Sequence, residues 1–269
     1  MNKKKPFLSV IVPIYRQDKT IVEDINNINS TLKDIRYTYE IIAVVDDKYN
    51  DKSFIKLKSN PLPNLKVYGY KGHNGKGYTV RYGMAKTKGD YVAFIDAGMD
   101  IDPNGISMIL EHMIWYNADI IVGSKRHPAS LVKYPFQRKI ISFGAQMIAK
   151  ILLGIKVTDT QAGLKIFKRQ VLIKVLPRLL VKEFAFDLEI LSVANHLGFG
   201  RIYEAPVKIN YDFNSLIHAT GLKVIFRSLQ DALAVFYRLR ILHFYDDKSN
   251  RKWIYDKNLQ MRINTGETK

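Results

Sequence analysis

Tyr91-Val-Ala-Phe-Ile-Asp-Ala-Gly-Met-Asp100 is the stretch on which the reading of this chain turns. It is an apolar run that stops abruptly at carboxylates, with Gly89 and Asp90 before it and Asp102 and Pro103 after it. A short run of Val, Ile, Phe and Tyr between such signals reads as a buried strand. Asp96 and Asp100 then stand at its C-terminal end. In open α/β sheets, ligands lie outside the carboxyl ends of the strands, so these two residues mark a candidate metal or substrate site.

Upstream, residues 7–15 read as a first buried strand, with Pro13 expected to mark its end because proline cannot donate to a sheet ladder. Residues 20–35 place Ile21, Ile25, Ile28, Leu32 and Ile35 at helical spacing. A second apolar strand over 39–45 ends in Asp46-Asp47, and a short helix is expected over 53–57. A third strand over 65–70 leads into Gly72-His-Asn-Gly-Lys-Gly77, and a helix over 78–87 precedes the opening stretch. This alternation predicts an α/β fold: a mostly parallel, Rossmann-like sheet flanked by helices.

Downstream, Asp102-Pro103 reads as a helix cap followed by a first-turn proline, with the helix running through Ile106, Ile109, Leu110 and Met113. A strand over 118–123 ends in Gly123-Ser-Lys-Arg-His127. The second half is expected to hold helices over 139–155, 171–176 and 183–197, a loop and short strand over 157–167, and a strand over 201–209 broken by Pro206. Residues 221–244 read as a basic amphipathic helix with the stripe Leu222, Ile225, Leu229, Leu233, Phe236 and Leu239. The segments 139–155 and 221–244 suit either packing on the sheet or lying at a membrane interface. The expected organisation is a catalytic domain over 1–212, C-terminal amphipathic helices with a membrane-associating segment over 213–247, and a polar, mobile tail over 248–269.

Lys and Arg total 42 against 25 Asp and Glu, a net charge of +17 that points to an anionic partner. Nucleic acid, an anionic membrane surface and phosphorylated substrates all qualify. With no cysteine, disulfides, thiolate metal sites and cysteine nucleophiles are excluded. No apolar run reaches the ~18 residues that a spanning helix needs, so the expected place is cytoplasmic, soluble or peripheral to the inner membrane face. No RNA-binding signature or zinc motif accompanies the charge, which makes a basic nucleic-acid-binding or scaffold protein the weaker alternative and nucleic acid an unexpected partner.

In a doubly wound sheet the early strand ends converge on one edge. They bring Pro13, Tyr15, Asp46, Asp47, the Asn74-Gly-Lys-Gly77 loop, Asp96 and Asp100 together. Carboxylates accept hydrogen bonds from a base or ribose. A Gly-Lys-Gly loop lets backbone N–H groups and one ammonium approach phosphate. Carboxylates at the next strand end can hold Mg²⁺ or Mn²⁺, which bridge to phosphate oxygens.

In this order and spacing the sequence resembles the family 2, GT-A fold glycosyltransferases, closest to the branch of dolichol-phosphate mannose synthase and the polyprenyl-phosphate glycosyltransferases. The resemblance covers about residues 9–208. It is carried by Ser9-Val-Ile-Val-Pro-Ile-Tyr15, Val44-Val-Asp-Asp47 with Asp51, Asn74-Gly-Lys-Gly77 with Gly83, and Gly89-Asp-Tyr-Val92 through Asp96-Ala97. Gly123-Ser-Lys125, the run 159–167 and Phe186-Asp-Leu-Glu189 extend it. The resemblance implies transfer from a nucleotide-diphosphate sugar, of the GDP-mannose or UDP-glucose type, to a polyprenyl or dolichyl phosphate with inversion. It implies nucleotide-sugar contacts at Pro13, Tyr15, Asp46, Asp47, Asn74, Lys76, Gly77, Asp96 and Ala97. Asp96, Asp187 and Glu189 become the catalytic candidates, and Lys125, Arg126, Arg138 and Lys139 the candidates for the acceptor phosphate. Mg²⁺ or Mn²⁺ would sit on Asp96 and Asp100. Beyond the two substrates, an anionic membrane surface and an integral-membrane protein are the implied partners.

Three departures stand out. The family's Asp-Ala-Asp metal motif reads Asp96-Ala-Gly98 here, and Asp100 occupies the position where a Gln often follows. Arg16-Gln17 replaces a common Asn-Glu, and Lys48-Tyr49 replaces a common Gly-Ser. A rival acceptor is a saccharide hydroxyl in surface-polysaccharide synthesis. That chemistry requires a carboxylate base, with Asp187, Glu189 and Asp159 as the candidates.

Overall fold

The computed structural model describes residues 5–131, 152–183, 185–209, 222–247 and 251–268. Arg138, Lys139, most of the 139–155 helix and the side chain of Phe226 lie outside the described residues. Among the described residues seven strands form one sheet: β1 (Leu8–Ile14), β2 (Tyr39–Val45), β3 (Leu65–Gly69), β4 (Tyr91–Ile95), β5 (Ile120–Ser124), β6 (Leu164–Lys168) and β7 (Ile202–Pro206). Their order is β3-β2-β1-β4-β6-β5-β7. Every pairing is parallel except those of β6, which runs antiparallel to both β4 and β5.

Period-2 alternation along the strands divides the core into two layers. On one face Leu8, Val10, Val12, Ile41, Ala43 and Val45 meet α1 (Ile21–Lys33) and α4 (Gly105–Trp115). On the other, Ile11, Ile42, Val44 and Phe94 meet α3 (Lys76–Lys86), α5 (Arg169–Val175), α6 (Phe186–His196) and α7 (Leu222–Phe236). The short helix α2 (Ser53–Ser59) lies beside β3 and α1. Strands buried on both faces explain why the sequence shows continuous apolar runs rather than polar alternation.

Four expectations need correction. β1 continues through Pro13 to Ile14, because its pairing with β4 ends at Ile11, before the proline, while its pairing with β2 goes on through Pro13. α4 begins at Gly105, and the Asp102 carboxylate instead accepts the Asn104 backbone and side-chain N–H groups at 3.0 and 2.8 Å. The buried face of α7 and the π-helical turn after it is Ala232, Val235 and Leu239, whereas Leu233 is exposed with Tyr237 and Ile241. Residues 251–268 are not a free tail. They form a hairpin of β8 (Arg251–Asp256) and β9 (Met261–Thr268) in which Leu259 and Asn264 are buried. The Arg178 guanidinium faces the Trp253 ring and Arg251 faces Phe244, so cation–π contacts fasten the hairpin to the body.

At the end of the sheet opposite the strand C-termini, a buried carboxylate ties three segments together. Glu40 accepts Ser9 Oγ–H at 2.7 Å, Lys66 Nζ–H at 2.6 Å and the Lys88 backbone N–H at 2.7 Å. Burial pushes its carboxyl up, but these three donors outweigh burial and hold it below its ordinary value. Glu40 thus binds its proton less tightly folded than unfolded. Its stabilisation is complete above the ordinary carboxylate range and is lost as pH falls through the depressed folded value. Glu40→Gln should cost about 1–3 kcal/mol in urea denaturation at pH 7. The gap to the parent protein should narrow as pH drops below about 4. A gap that stays constant down to the acid limit of folding would contradict this assignment.

Candidate active site

Asp96 leaves β4 at the C-terminal edge of the sheet. Its backbone N–H donates to Gly163 O at 2.9 Å, extending the β4–β6 ladder by one bond. A Cβ on Gly163 would fall 2.5 Å from Asp96 Oδ2, so only glycine lets the lead-in to β6 pass this close. Asp96 Oδ2 accepts Lys76 Nζ–H at 2.7 Å. Asp96 Oδ1 is buried and has no hydrogen-bond partner. A buried carboxylate oxygen without a partner is costly, and such an oxygen can accept a cation.

Lys76 opens α3 and reaches a second carboxylate, Asp187 Oδ2, at 3.9 Å. Asp187 stands in the first turn of α6, and its Oδ1 accepts Lys165 Nζ–H at 2.6 Å. Lys165 is fully buried and also donates to Ala162 O at 2.6 Å. Burial pulls the Lys165 ammonium below its ordinary value, with Asp187 opposing. Burial acts on Lys76 in the same sense, but Asp96 and Asp187 together reverse it and hold that ammonium above its ordinary value. Four groups of alternating charge therefore run from the core to the sheet edge.

The turn after Asp96 is shaped by two consecutive positive-φ residues, Gly98 at 93° and Met99 at 57°. Gly98 N–H donates to Asp24 Oδ2 at 3.2 Å, which fixes the turn against α1. Burial raises the Asp24 carboxyl, partly offset by its bonds from Thr20 and Gly98. Burial also raises the Asp100 carboxyl; the nearby Lys125 charge opposes this and the Asp96 charge adds to it. Asp100 thus lies within electrostatic reach of Asp96 and Lys125. Two carboxylates, one with an orphaned buried oxygen, fit a divalent cation whose shell is completed by phosphate oxygens and water. Among the described residues no cluster of three or more His, Cys, Asp or Glu could hold a metal by itself.

Several expected ligands have other duties. Asp46 is buried, and its oxygens accept Asn74 N–H at 2.9 Å and Gly75 N–H at 3.0 Å, with His73 Nδ1 at 2.7 Å. Asp47 accepts Gly72 N–H at 2.9 Å and Asn50 Nδ2–H at 2.7 Å, and these donors hold its carboxyl below the ordinary value. The amides of Gly72, Asn74 and Gly75 are thus directed at carboxylates rather than at an open phosphate cradle, and Lys76 is the loop's cation at the site. Gly77 lies against Phe186 and the Lys182 and Glu183 carbonyls, so it serves the packing of α3. Pro13 is paired within the sheet, and Ala97 packs on the α1–α4 side of the core.

Tyr15 remains available: it is 41% exposed and its ring stacks on His73 with centroids 4.4 Å apart. Lys125 N–H donates to Asp159 Oδ2 at 2.9 Å, which sets the turn carrying Lys125, whose charge reaches Asp100. Glu189 is not at the site. It is fully buried, accepts Leu180 N–H, Val181 N–H and Tyr245 O–H, and knits α6 to the segment before it and to Tyr245.

Sequence reasoning missed Lys165, Asp24 and Glu183. Lys165 had a signal, a lone charge inside Leu164-Lys-Ile-Phe167. So did Asp24, which falls three residues after Ile21 and four before Ile28, on the buried stripe of α1. Glu183 had none: its carboxylate packs over Gly75 at the start of α3, where a helix favours negative charge, and only tertiary structure shows it.

The family model described as Glycosyl transferase family 2 matches residues 9–176, more than half of the chain. A dolichyl-phosphate β-glucosyltransferase of Dictyostelium discoideum is 30% identical over 220 residues, covering 76% of this chain. The chain spans 66% of that relative's length, just under two thirds. A UDP-N-acetylglucosamine–dolichyl-phosphate N-acetylglucosaminyltransferase of Methanococcus voltae is 26% identical over 253 residues, covering 87% of this chain and 94% of its own. Among solved structures, glucosyl-3-phosphoglycerate synthase from Mycobacterium tuberculosis, in complex with Mn²⁺ and UDP, superposes with a TM-score of 0.62. It is 17% identical and the match covers 96% of this chain and 87% of that one, which is a likeness of fold.

The loop geometry is directly testable. Asp46→Ala leaves the Asn74 and Gly75 amides without their acceptor. Their hydrogen exchange should accelerate by about 10- to 100-fold while the β1 and β2 amides stay protected. Unchanged exchange at Asn74 and Gly75 would remove Asp46 from this role.

Proposed function

Because this chain belongs to glycosyl transferase family 2, we propose that it moves a sugar from a nucleotide-diphosphate sugar onto the phosphate of a polyprenyl lipid, with inversion at the anomeric carbon. One observation carries the choice of acceptor: the carboxylates considered as general bases are all engaged. Asp187 is held by Lys165 and faces Lys76, Glu189 is buried with three donors, and Asp159 accepts Lys125 N–H. A hydroxyl acceptor needs a base within reach, whereas a phosphate monoester is already anionic near neutral pH. The dolichyl-phosphate relatives support the same reading, and the β-linkage in the name of the Dictyostelium enzyme matches inversion of an α-linked donor.

In this reading the nucleotide lies along the edge from Tyr15 and Asp47 towards Asp96, with the diphosphate beside Lys76. Asp96 and Asp100 would hold Mg²⁺ or Mn²⁺, which when bound neutralises charge on the diphosphate. The Lys76 ammonium stabilises the same developing negative charge from the protein side. Lys125 and Arg126 present positive charge to the incoming phosphate. Among the described residues no helix is long and apolar enough to cross a membrane. The exposed Leu233, Tyr237 and Ile241 beside Arg240 suit contact with a lipid surface.

The test is a donor panel of UDP-glucose, UDP-N-acetylglucosamine and GDP-mannose with Mg²⁺ or Mn²⁺, with and without polyprenyl phosphate. Transfer should appear with the lipid phosphate, and Asp96→Ala should lower kcat by about 10³-fold or more. Absence of transfer from every donor, or a fully active Asp96→Ala protein, would defeat the reading. Asp100→Asn should raise the metal concentration needed for half-maximal rate by about tenfold or more. A variant with unaltered metal dependence would free Asp100 from that duty.

A further inference from the structure

Lys165 is itself shut away from any substrate, yet it stands at the head of the charge chain that ends at Asp96. Its ammonium is fully enclosed, donating to Ala162 O and Asp187 Oδ1 at 2.6 Å each and lying 5.1 Å from the Phe94 ring centre. The Lys76 ammonium lies 5.7 Å from the same ring centre. Asp187 is the only carboxylate among the described residues that pairs with both lysines: Oδ1 at 2.6 Å from Lys165 and Oδ2 at 3.9 Å from Lys76. Lys76 in turn sits closer to Asp96, at 2.7 Å.

These distances describe an unequal competition. Lys76 has two carboxylates to choose from, and it pairs with the more exposed one. Asp187 can leave Lys76 at 3.9 Å because Lys165 already neutralises it. Without Lys165, Asp187 would be a buried charge with Lys76 as its nearest cation. A buried unpaired carboxylate is costly enough to draw a flexible lysine towards it.

We propose that Lys165 is a positioning residue for sugar transfer: by satisfying Asp187 it leaves the Lys76 ammonium at the sheet edge, where the departing diphosphate develops its charge. The proposal rests on the glycosyl-transfer reading above for its rate consequence, and on the geometry alone for its effect on Lys76. It also gives Asp187 a role, as the anion that steers Lys76, that involves no proton transfer. The chain is neutral as a set, two ammoniums against two carboxylates, so removing one member reorganises the others.

Two variants test this. In Lys165→Met the Lys76 ammonium should move from Asp96 to Asp187. Its ¹⁵N ammonium resonance in lysine-labelled protein should shift, and kcat should fall by about 10- to 100-fold with donor KM within about threefold of the parent. In Lys165→Met/Asp187→Asn the competing charge is gone as well. The Lys76 resonance should return towards its parent position and most of kcat should be recovered. The double variant also removes the buried charge that could unfold the single one. An unshifted Lys76 resonance in the single variant would overturn the proposal, whether or not any donor is turned over. So would a double variant as slow as the single one, which would make Asp187 a reacting group. A parent protein that transfers no sugar but whose Lys76 resonance responds as described would overturn the transferase reading and leave the positional link standing.

Discussion

An ammonium shut away from water must find its neutralising charge within hydrogen-bond reach, and at Lys165 that requirement organises one edge of the molecule. β6 enters the sheet antiparallel between β4 and β5, with Ile95 opposite Leu164. That register puts Gly163 against Asp96 and carries Lys165, two residues further on, into the layer beneath the site. Asp187 must come to meet it, which fixes the first turn of α6. The start of α3 is drawn to the same place: Tyr78 N–H donates to Lys182 O, and Phe186 packs on Gly77. Three elements distant in sequence are thus gathered around one buried charge.

The acidic residues of this half of the molecule divide by what their oxygens face. Asp46, Asp47, Asp51, Asp159, Glu189 and Glu204 accept backbone N–H groups from loops that have no strand or helix partner of their own. Loop amides near the core must be satisfied by something, and a carboxylate with two acceptor oxygens does so compactly. Asp96 differs because one oxygen faces no donor at all. A carboxylate that holds a loop and a carboxylate with an unpartnered oxygen look the same in one dimension. They separate once the donors are counted.

That distinction marks how far the sequence could be read. β2 lies where its apolar run places it, and the alternation of strand and helix leads directly to a parallel sheet, because these signals are local periodicities. The antiparallel direction of β6 carries no local signal. Asp187 and Glu189 were read together, yet two residues on a helix lie about 200° apart, so one side chain enters the site and the other the opposite flank of α6. The hairpin over β8 and β9 was invisible for another reason. Its sequence is polar, and what holds it is Leu259, Asn264 and the Arg–aromatic contacts supplied by distant segments. The departures Gln17 and Gly98 are side by side: the Gln17 amide nitrogen lies 3.9 Å from where a Cβ on Gly98 would be. They are better read as one altered corner than as two separate losses.

The clamping of α3 at both ends bears on the order in which the molecule can be made. Its first turn is held by residues 182–186, and the Lys86 ammonium near its last turn donates to Asn258 O at 2.7 Å, across 172 positions of sequence. At about 5–20 residues per second, a ribosome releases the first of these partners several seconds after α3 itself, and the second several seconds later again. Until then α3 can seat on β1 and β2, but neither of its ends is held. A nascent chain could therefore pair β1 to β4 and still lack the groups that hold Lys76. Assembly of the charged site waits until Lys165 and Asp187 have followed α3 into place.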